Sequence, residues 1–232
     1  TTFKVNNLFV HRSKVINGEI TIGETVKAKI DLPRREEIRL HHTSAHLLQA
    51  ALIKVLGDEV HQAGSQVEPD RMRFDFTFSR AMTPDEIFKV EEILNNWVAK
   101  GLNVHTDVMD IEQAKLTGAT ALFGEKYDEV VRVVSIGNEF CAGTHARNTR
   151  DLRLIKIVSE GAIAAGTRRI EVVVSKAAFE FMNAKVREMD KLSLMFKTHY
   201  NEIVERVEKL QEENKELQKE LASAKEENAR AK

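Results

Sequence analysis

The chain has 232 residues, 42% of them hydrophobic and 31% charged, with three prolines and eleven glycines, a composition that excludes disorder and low complexity. Its 35 basic and 36 acidic residues give a formal charge of -1, so no global positive field draws in nucleic acid and any RNA contact has to be local. No apolar run approaches the ~18 residues of a membrane span, residues 1–12 lack the features of a signal peptide, and the single cysteine, Cys141, excludes an internal disulfide and fits a reducing, cytoplasmic setting.

Residues 1–33 read as short strands at 8–10, 14–16, 20–22 and 26–30, with Asn17-Gly18 as a hairpin turn between the second and third, which predicts a small β-barrel-like unit. From 34 to 55 the pattern changes: Ile38, Leu47, Leu48, Ala51, Leu52 and Val55 recur at helical spacing until Gly57-Asp58 stops them, predicting a long amphipathic helix. Met72, Phe74, Phe76 and Phe78 then alternate with Arg73, Asp75 and Thr77, the period of a half-buried strand. Thr83-Pro84-Asp85-Glu86 opens a second helix with a capping box, and Gly101 ends it. Strands are predicted at 104–109, 130–136, 152–158 and 170–174, with a short helix near 111–117.

From Ala177 onward there is no proline or glycine, and Ile203, Val207, Leu210, Leu217, Leu221 and Ala224 settle into a heptad seam with Asn214 and Asn228 at a positions. The fold class is therefore α+β: a β-barrel-like subdomain at 1–33, a mixed α+β core at 34–176, and a coiled-coil helical region at 177–232. With no methionine at its start and no helix breaker at its end, the chain reads as a piece of a longer protein.

Four residues carry the chemistry. His42 and His46 are one helical turn apart on one face and can grip a single metal ion; His41 has no partner four residues on, so the spacing selects His42. In Cys141-Ala142-Gly143-Thr144-His145 a soft thiolate and an imidazole are again four apart, separated by small residues. A His pair on a helix is more often packing, and a buried lone cysteine is usually inert. The four together make a tetrahedral zinc set that would stitch two distant segments.

On these motifs the chain resembles the editing domain of alanyl-tRNA synthetases and the related freestanding alanyl-tRNA deacylases, over nearly its whole length. The supporting stretches are 35–48, Gln62-Ala63-Gly64-Ser65-Gln66-Val67, Arg73-Phe74-Asp75-Phe76, Leu122-Phe123-Gly124-Glu125-Lys126-Tyr127, and 157–171 with Gly166-Thr167-Arg168-Arg169. The Phe-Gly-Glu-Lys-Tyr stretch points to the synthetase branch. The resemblance implies deacylation of alanine tRNA wrongly charged with serine or glycine. It implies zinc on His42, His46, Cys141 and His145, Gln62 in the editing pocket, and Gly143 and Thr144 on the loop that lines it. This chain departs from the family in a shorter segment at 137–140 and in Ala142, where the family usually has glycine.

A positioned water suffices to hydrolyse an activated ester. Four protein ligands make a closed site, whereas Lewis-acid catalysis needs an open position, so zinc either loses a ligand to water or shapes the pocket while water is activated elsewhere. Gln62 or the Thr144 hydroxyl suits recognition of a serine hydroxyl. Arg34, Arg35 and Arg39 precede the first histidine pair and Arg147, Arg150 and Arg153 follow the second, suiting phosphate contacts at the acceptor end of tRNA(Ala). Of Arg168 and Arg169, at most one faces that groove and the other is expected to pair with an acidic neighbour.

The C-terminal helix is expected to mediate self-association. Amino-acid activation is not expected from this chain. Three alternatives stand beside this reading: the editing domain of threonyl-tRNA synthetases, which usually has proline at the position of Thr144, a freestanding deacylase acting in trans, and a non-catalytic tRNA-binding and dimerisation module with structural zinc.

Overall fold

The computed structural model describes residues 2–6, 8–119 and 128–230, and the chain divides into two units, Thr1–Leu32 and Pro33–Lys232. In the first unit β1 (Thr2–Val5) and β2 (Leu8–His11) form an antiparallel hairpin in which Phe3 opposes Val10 and Val5 opposes Leu8. The strands expected at 14–16, 20–22 and 26–30 do not form, and Asn17-Gly18 is a bend without a ladder. The barrel-like unit is thus corrected to one hairpin followed by irregular chain. Ile16, Ile20, Ile22 and Val26 are all exposed, and a β-branched alternation holds a strand only where one face packs against something.

In the second unit α1 (Leu32–Leu56) carries Pro33 in its first turn, where a missing N–H costs nothing. It stops at Gly57, whose φ of +104° lies in the region glycine favours. β3 (Gln62–Val67) and β4 (Met72–Thr77) pair antiparallel, and Met72, Phe74 and Phe76 are fully buried between the half-exposed Arg73, Asp75 and Thr77, as their period predicts. α2 (Pro84–Lys100) has the expected capping box between Thr83 and Glu86 and ends in a left-handed Gly101.

β5 (Thr106–Asp110), α3 (Ile111–Leu116), β6 (Val130–Val134) and β7 (Glu139–Phe140) make a three-stranded sheet of order β5-β6-β7 over a small core of Ala114, Val131, Val133 and Phe140. β8 (Ile155–Ala164) and β9 (Thr167–Val174) complete the main sheet, β3-β4-β9-β8, antiparallel throughout. β8 begins later than the expected 152 because Leu152 closes a 3-10 turn (Thr149–Leu152) capped by Asn148.

One apolar core joins α1 (Leu47, Leu48, Ala51, Leu52) and α2 (Val90, Leu94, Val98) to Phe74, Phe76, Ile155, Ile170 and Val172 of the main sheet. The outer edge of β8 is covered by polar side chains of α2: Asn95 bonds both the N–H and the carbonyl of Ile155, and Glu91 accepts from Ile157 N–H. This satisfies backbone groups that an open edge would leave exposed.

Helices α4 (Ser175–Phe196) and α5 (Ile203–Arg230) follow. The helical region is interrupted without a glycine or proline: Lys197 takes φ +51°, the Thr198 hydroxyl donates to Glu202, and His199 caps a 3-10 turn (Tyr200–Glu202). Only Ile203 of α5 is buried. Among the described residues no helix is long and apolar enough to cross a membrane.

Candidate metal centre

The two ligand pairs meet. His42 and His46 from α1, and Cys141 and His145 from the loop after β7, place one donor atom each so that all four lie within 4.8 Å of one another. The Cys141 Sγ is 3.5 Å from His42 Nε2 and 3.4 Å from His145 Nε2. Tetrahedral coordination with a metal–sulfur bond of about 2.3 Å and metal–nitrogen bonds of about 2.0–2.1 Å requires sulfur–nitrogen edges of about 3.5 Å, which these two separations match. His41 is elsewhere: buried, it bonds the Glu37 carbonyl through Nδ1 and accepts from Val174 N–H through Nε2, which makes it a packing residue and leaves His42 for the cluster.

Local geometry holds each donor in place. The buried Thr43 hydroxyl donates to the Arg39 carbonyl and accepts from Ala146 N–H, both at 2.9 Å, tying α1 to the loop. His42 Nδ1 donates to the Thr144 carbonyl at 3.3 Å, which turns its Nε2 inward. Gly143 lies flat against His42: a Cβ there would sit 2.1 Å from Cε1 of the imidazole, so any other residue would push the ring out of the site. Gly143 N–H also donates to the Cys141 sulfur at 3.4 Å. His145 Nδ1 is buried and makes no hydrogen bond among the described residues.

Two contributors escaped the sequence reading. Arg132 on β6 reaches across to the carbonyls of Ala142 at 2.8 Å and Gly143 at 3.2 Å, bracing the loop from behind. Glu139, almost fully buried, accepts a hydrogen bond from His46 Nδ1. No motif signals either residue, because the β6–β7 pairing that brings them close is set by a strand only two residues long.

Of the remaining candidates, Thr144 and Arg39 join the cluster's hydrogen-bond network through their main-chain carbonyls. Gln62 donates to the Ser65 hydroxyl at 3.2 Å, and the register sets it opposite Phe76, itself opposite Arg168, in one row across the main sheet. Both arginines at 168 and 169 are paired, where one was expected to be: Arg168 donates twice to Glu160, and Arg169 twice to Asp75. Arg39 pairs with Glu36, while Thr144 and Arg147 are exposed. The Phe-Gly-Glu-Lys-Tyr stretch at 123–127 lies outside the described residues.

Charge in the cluster is set by its neighbours. Burial would raise the Cys141 thiol, but hydrogen bonds from His145, His42, His46 and Gly143 N–H outweigh it and bring the group down to about 3. Burial likewise disfavours a charged His46, yet hydrogen bonds to Cys141 and Glu139, with their negative charges, hold it up at about 9. Burial keeps His145 low. At neutral pH the metal-free cluster therefore holds a thiolate and a proton on His46, in the place a cation would take.

Metal binding must expel that proton, because a ligating imidazole is neutral. Between about pH 7 and 9 affinity should rise about tenfold per pH unit and flatten above the His46 value. Calorimetry in buffers of different ionisation heat should find about one proton released per ion near pH 7.5; affinity independent of pH across that window would contradict the charge assignment.

Comparison with known proteins gives the chain's relatives. Residues 131–171, which include Cys141 and His145, match the family described as "Threonyl and Alanyl tRNA synthetase second additional domain". The chain is 46% identical over 224 residues to the alanine–tRNA ligase of Legionella pneumophila (strain Corby), covering 95% of this chain and 26% of that protein. It is 46% identical to that of Synechococcus sp. (strain JA-3-3Ab), covering 95% and 25%, and 43% identical to that of Fervidobacterium nodosum, covering 95% and 26%. The chain thus spans about a quarter of the length of these relatives. It resembles, over nearly all of its own length, the editing region of alanyl-tRNA synthetases.

Proposed function

We propose that the chain is an editing hydrolase that deacylates mischarged tRNA(Ala) in the cytoplasm, chiefly Ser-tRNA(Ala) and secondarily Gly-tRNA(Ala), with zinc on His42, His46, Cys141 and His145. The observation that carries this reading is the convergence of those four donors within 4.8 Å, in a chain similar over 95% of its length to part of an alanine–tRNA ligase. The mixed imidazole and thiolate set favours zinc over harder ions. When bound, zinc supplies Lewis acidity toward an ester carbonyl or a water.

The chain's own residues do the rest. Serine exceeds alanine by one hydroxyl, which an apolar pocket rejects poorly but a hydrogen-bonding pocket selects strongly. Gln62 offers a neutral donor and acceptor for that hydroxyl; its present partner, the Ser65 hydroxyl at 3.2 Å, is an exchangeable one. Thr144 is exposed on the loop, its carbonyl accepting from His42 Nδ1, and its hydroxyl is a second candidate for that contact. Arg39 and Arg147 flank the two ligand pairs and suit phosphates of the acceptor end. Arg168 is a further candidate for such a contact, its Nε and Nη2 groups being held by Glu160. The relatives' printed names favour alanine over threonine tRNA.

In single turnover at low salt, where phosphate contacts are strongest, the chain should hydrolyse Ser-tRNA(Ala) faster than Ala-tRNA(Ala). Gln62→Ala should erode that preference by about 1–3 kcal/mol with metal content unchanged. Equal cleavage of the two by the parent chain would remove the pocket role of Gln62, and no cleavage of Ser-tRNA(Ala) would remove the editing reading in favour of a tRNA-binding module.

We also propose that α5 pairs with a second copy of the chain. Val204, Leu210, Leu217 and Leu221 along it are exposed, and an isolated helix with so narrow an apolar stripe is marginal in water. Asn214 at an a position suits a partner of fixed register. Sedimentation equilibrium should show concentration-dependent association for the full chain and none for one ending at Thr198; a monomer at all concentrations would refute it.

A further inference from the structure

Glu139 stands two residues before Cys141 and is only 3% exposed. A buried carboxylate is costly unless it is paired, and its hydrogen-bond partner among the described residues is His46 Nδ1. The chain takes specific steps to put it there. β6 and β7 pair Val133 with Phe140 and Val134 with Glu139, and the turn between them runs through Gly137 at φ +74° and Asn138 at φ +51°.

A Cβ at Gly137 would lie 2.8 Å from Glu139 Oε1, so the absence of a side chain there gives the carboxylate its room. Asn138 Nδ2 anchors the turn by donating to the Thr117 carbonyl at 3.0 Å. Cys141 N–H then donates to the Arg132 carbonyl at 2.9 Å, prolonging the ladder, so Glu139 and Cys141, two residues apart, project to the same side, the side on which both meet His46.

The three imidazoles of the cluster are supported unequally. His42 Nδ1 has a neutral backbone carbonyl, His145 Nδ1 has no partner among the described residues, and His46 Nδ1 has a carboxylate. A histidine that donates its distal N–H to a carboxylate is fixed in tautomer and ring orientation and becomes a stronger donor. One thiolate and one carboxylate also match the charge of a divalent cation.

We propose that Glu139 is a positioning residue for the metal: by accepting from His46 Nδ1–H it commits His46 to ligate through Nε2 and tightens the site. This rests on the reading that the cluster binds a metal ion, and it adds a residue outside the ligand set. The turn at 137–138 sets Glu139 against His46.

The test uses the full chain, with zinc affinity from chelator competition and cobalt(II) absorption as a reporter of the coordination sphere. The parent should bind about one equivalent. Glu139→Gln, which can still accept from Nδ1–H but has no charge, should bind the same stoichiometry more weakly, and Glu139→Ala weaker still, by about 10- to 100-fold, with an altered cobalt spectrum. Circular dichroism of the metal-free variants checks that they fold.

Independently of any variant, nitrogen NMR of the zinc-loaded parent should show His46 protonated at Nδ1 and bonded at Nε2. Parent-like zinc affinity in Glu139→Ala, or zinc on Nδ1 of His46, would overturn the role while leaving the metal site standing. A parent chain that takes up no zinc or cobalt would overturn the metal reading and this role with it.

Discussion

Two histidines on α1 and a cysteine–histidine pair on a loop have to meet within 4.8 Å, although His42 and Cys141 are 99 residues apart in the chain. The same helix that presents His42 and His46 buries Leu47, Leu48, Ala51 and Leu52 in the main core. Its azimuth is therefore fixed by apolar packing, and the histidines inherit the orientation left over. The loop is fixed from its other side, by Arg132 on the carbonyls of Ala142 and Gly143 and by Thr43 on the amide of Ala146. A rotation of α1 by one residue would carry Leu47, Leu48 and Leu52 off the core and His42 and His46 off the cluster together, so the core and the site constrain each other.

The electrostatics follow from that enclosure. A thiolate and a carboxylate partly or fully removed from water need positive charge close by. In the metal-free chain the proton on His46 supplies it, which is why burial fails to drive that proton off. A divalent ion supplies it better, and exchanging the proton for the ion couples metal affinity to pH and to the integrity of the loop. The cluster is thereby pre-arranged: its hydrogen bonds hold sulfur and imidazole nitrogen near the separations that tetrahedral coordination needs.

Periodicity made much of this legible. Met72, Phe74 and Phe76 declared a strand by alternation, and Thr83 to Glu86 declared a helix start by its cap, because both signals are local. The i, i+4 rule separated His42 from His41 for the same reason. What stayed hidden was non-local. Nothing near Glu139 or Arg132 announces that a two-residue strand will bring them to the cluster, and nothing near Lys197 announces a helix break without glycine or proline. At 14–30 the opposite happened: Val15, Ile16, Ile20, Ile22 and Val26 carry a sound local strand signal, but they remain exposed, and without a packing face the signal had nothing to act on. Arg168 shows the same limit, since its bidentate partner Glu160 is supplied by the neighbouring strand.

X-ray absorption at the zinc edge of the chain loaded with one equivalent of zinc bears most directly on the central claim that one ion is held jointly by α1 and the 141–145 loop. The account predicts a first shell containing one sulfur at about 2.3 Å together with imidazole nitrogens at about 2.0–2.1 Å. A shell of nitrogen and oxygen with no sulfur would contradict it, because Cys141 is the chain's only cysteine and its thiolate would then have no part in the site.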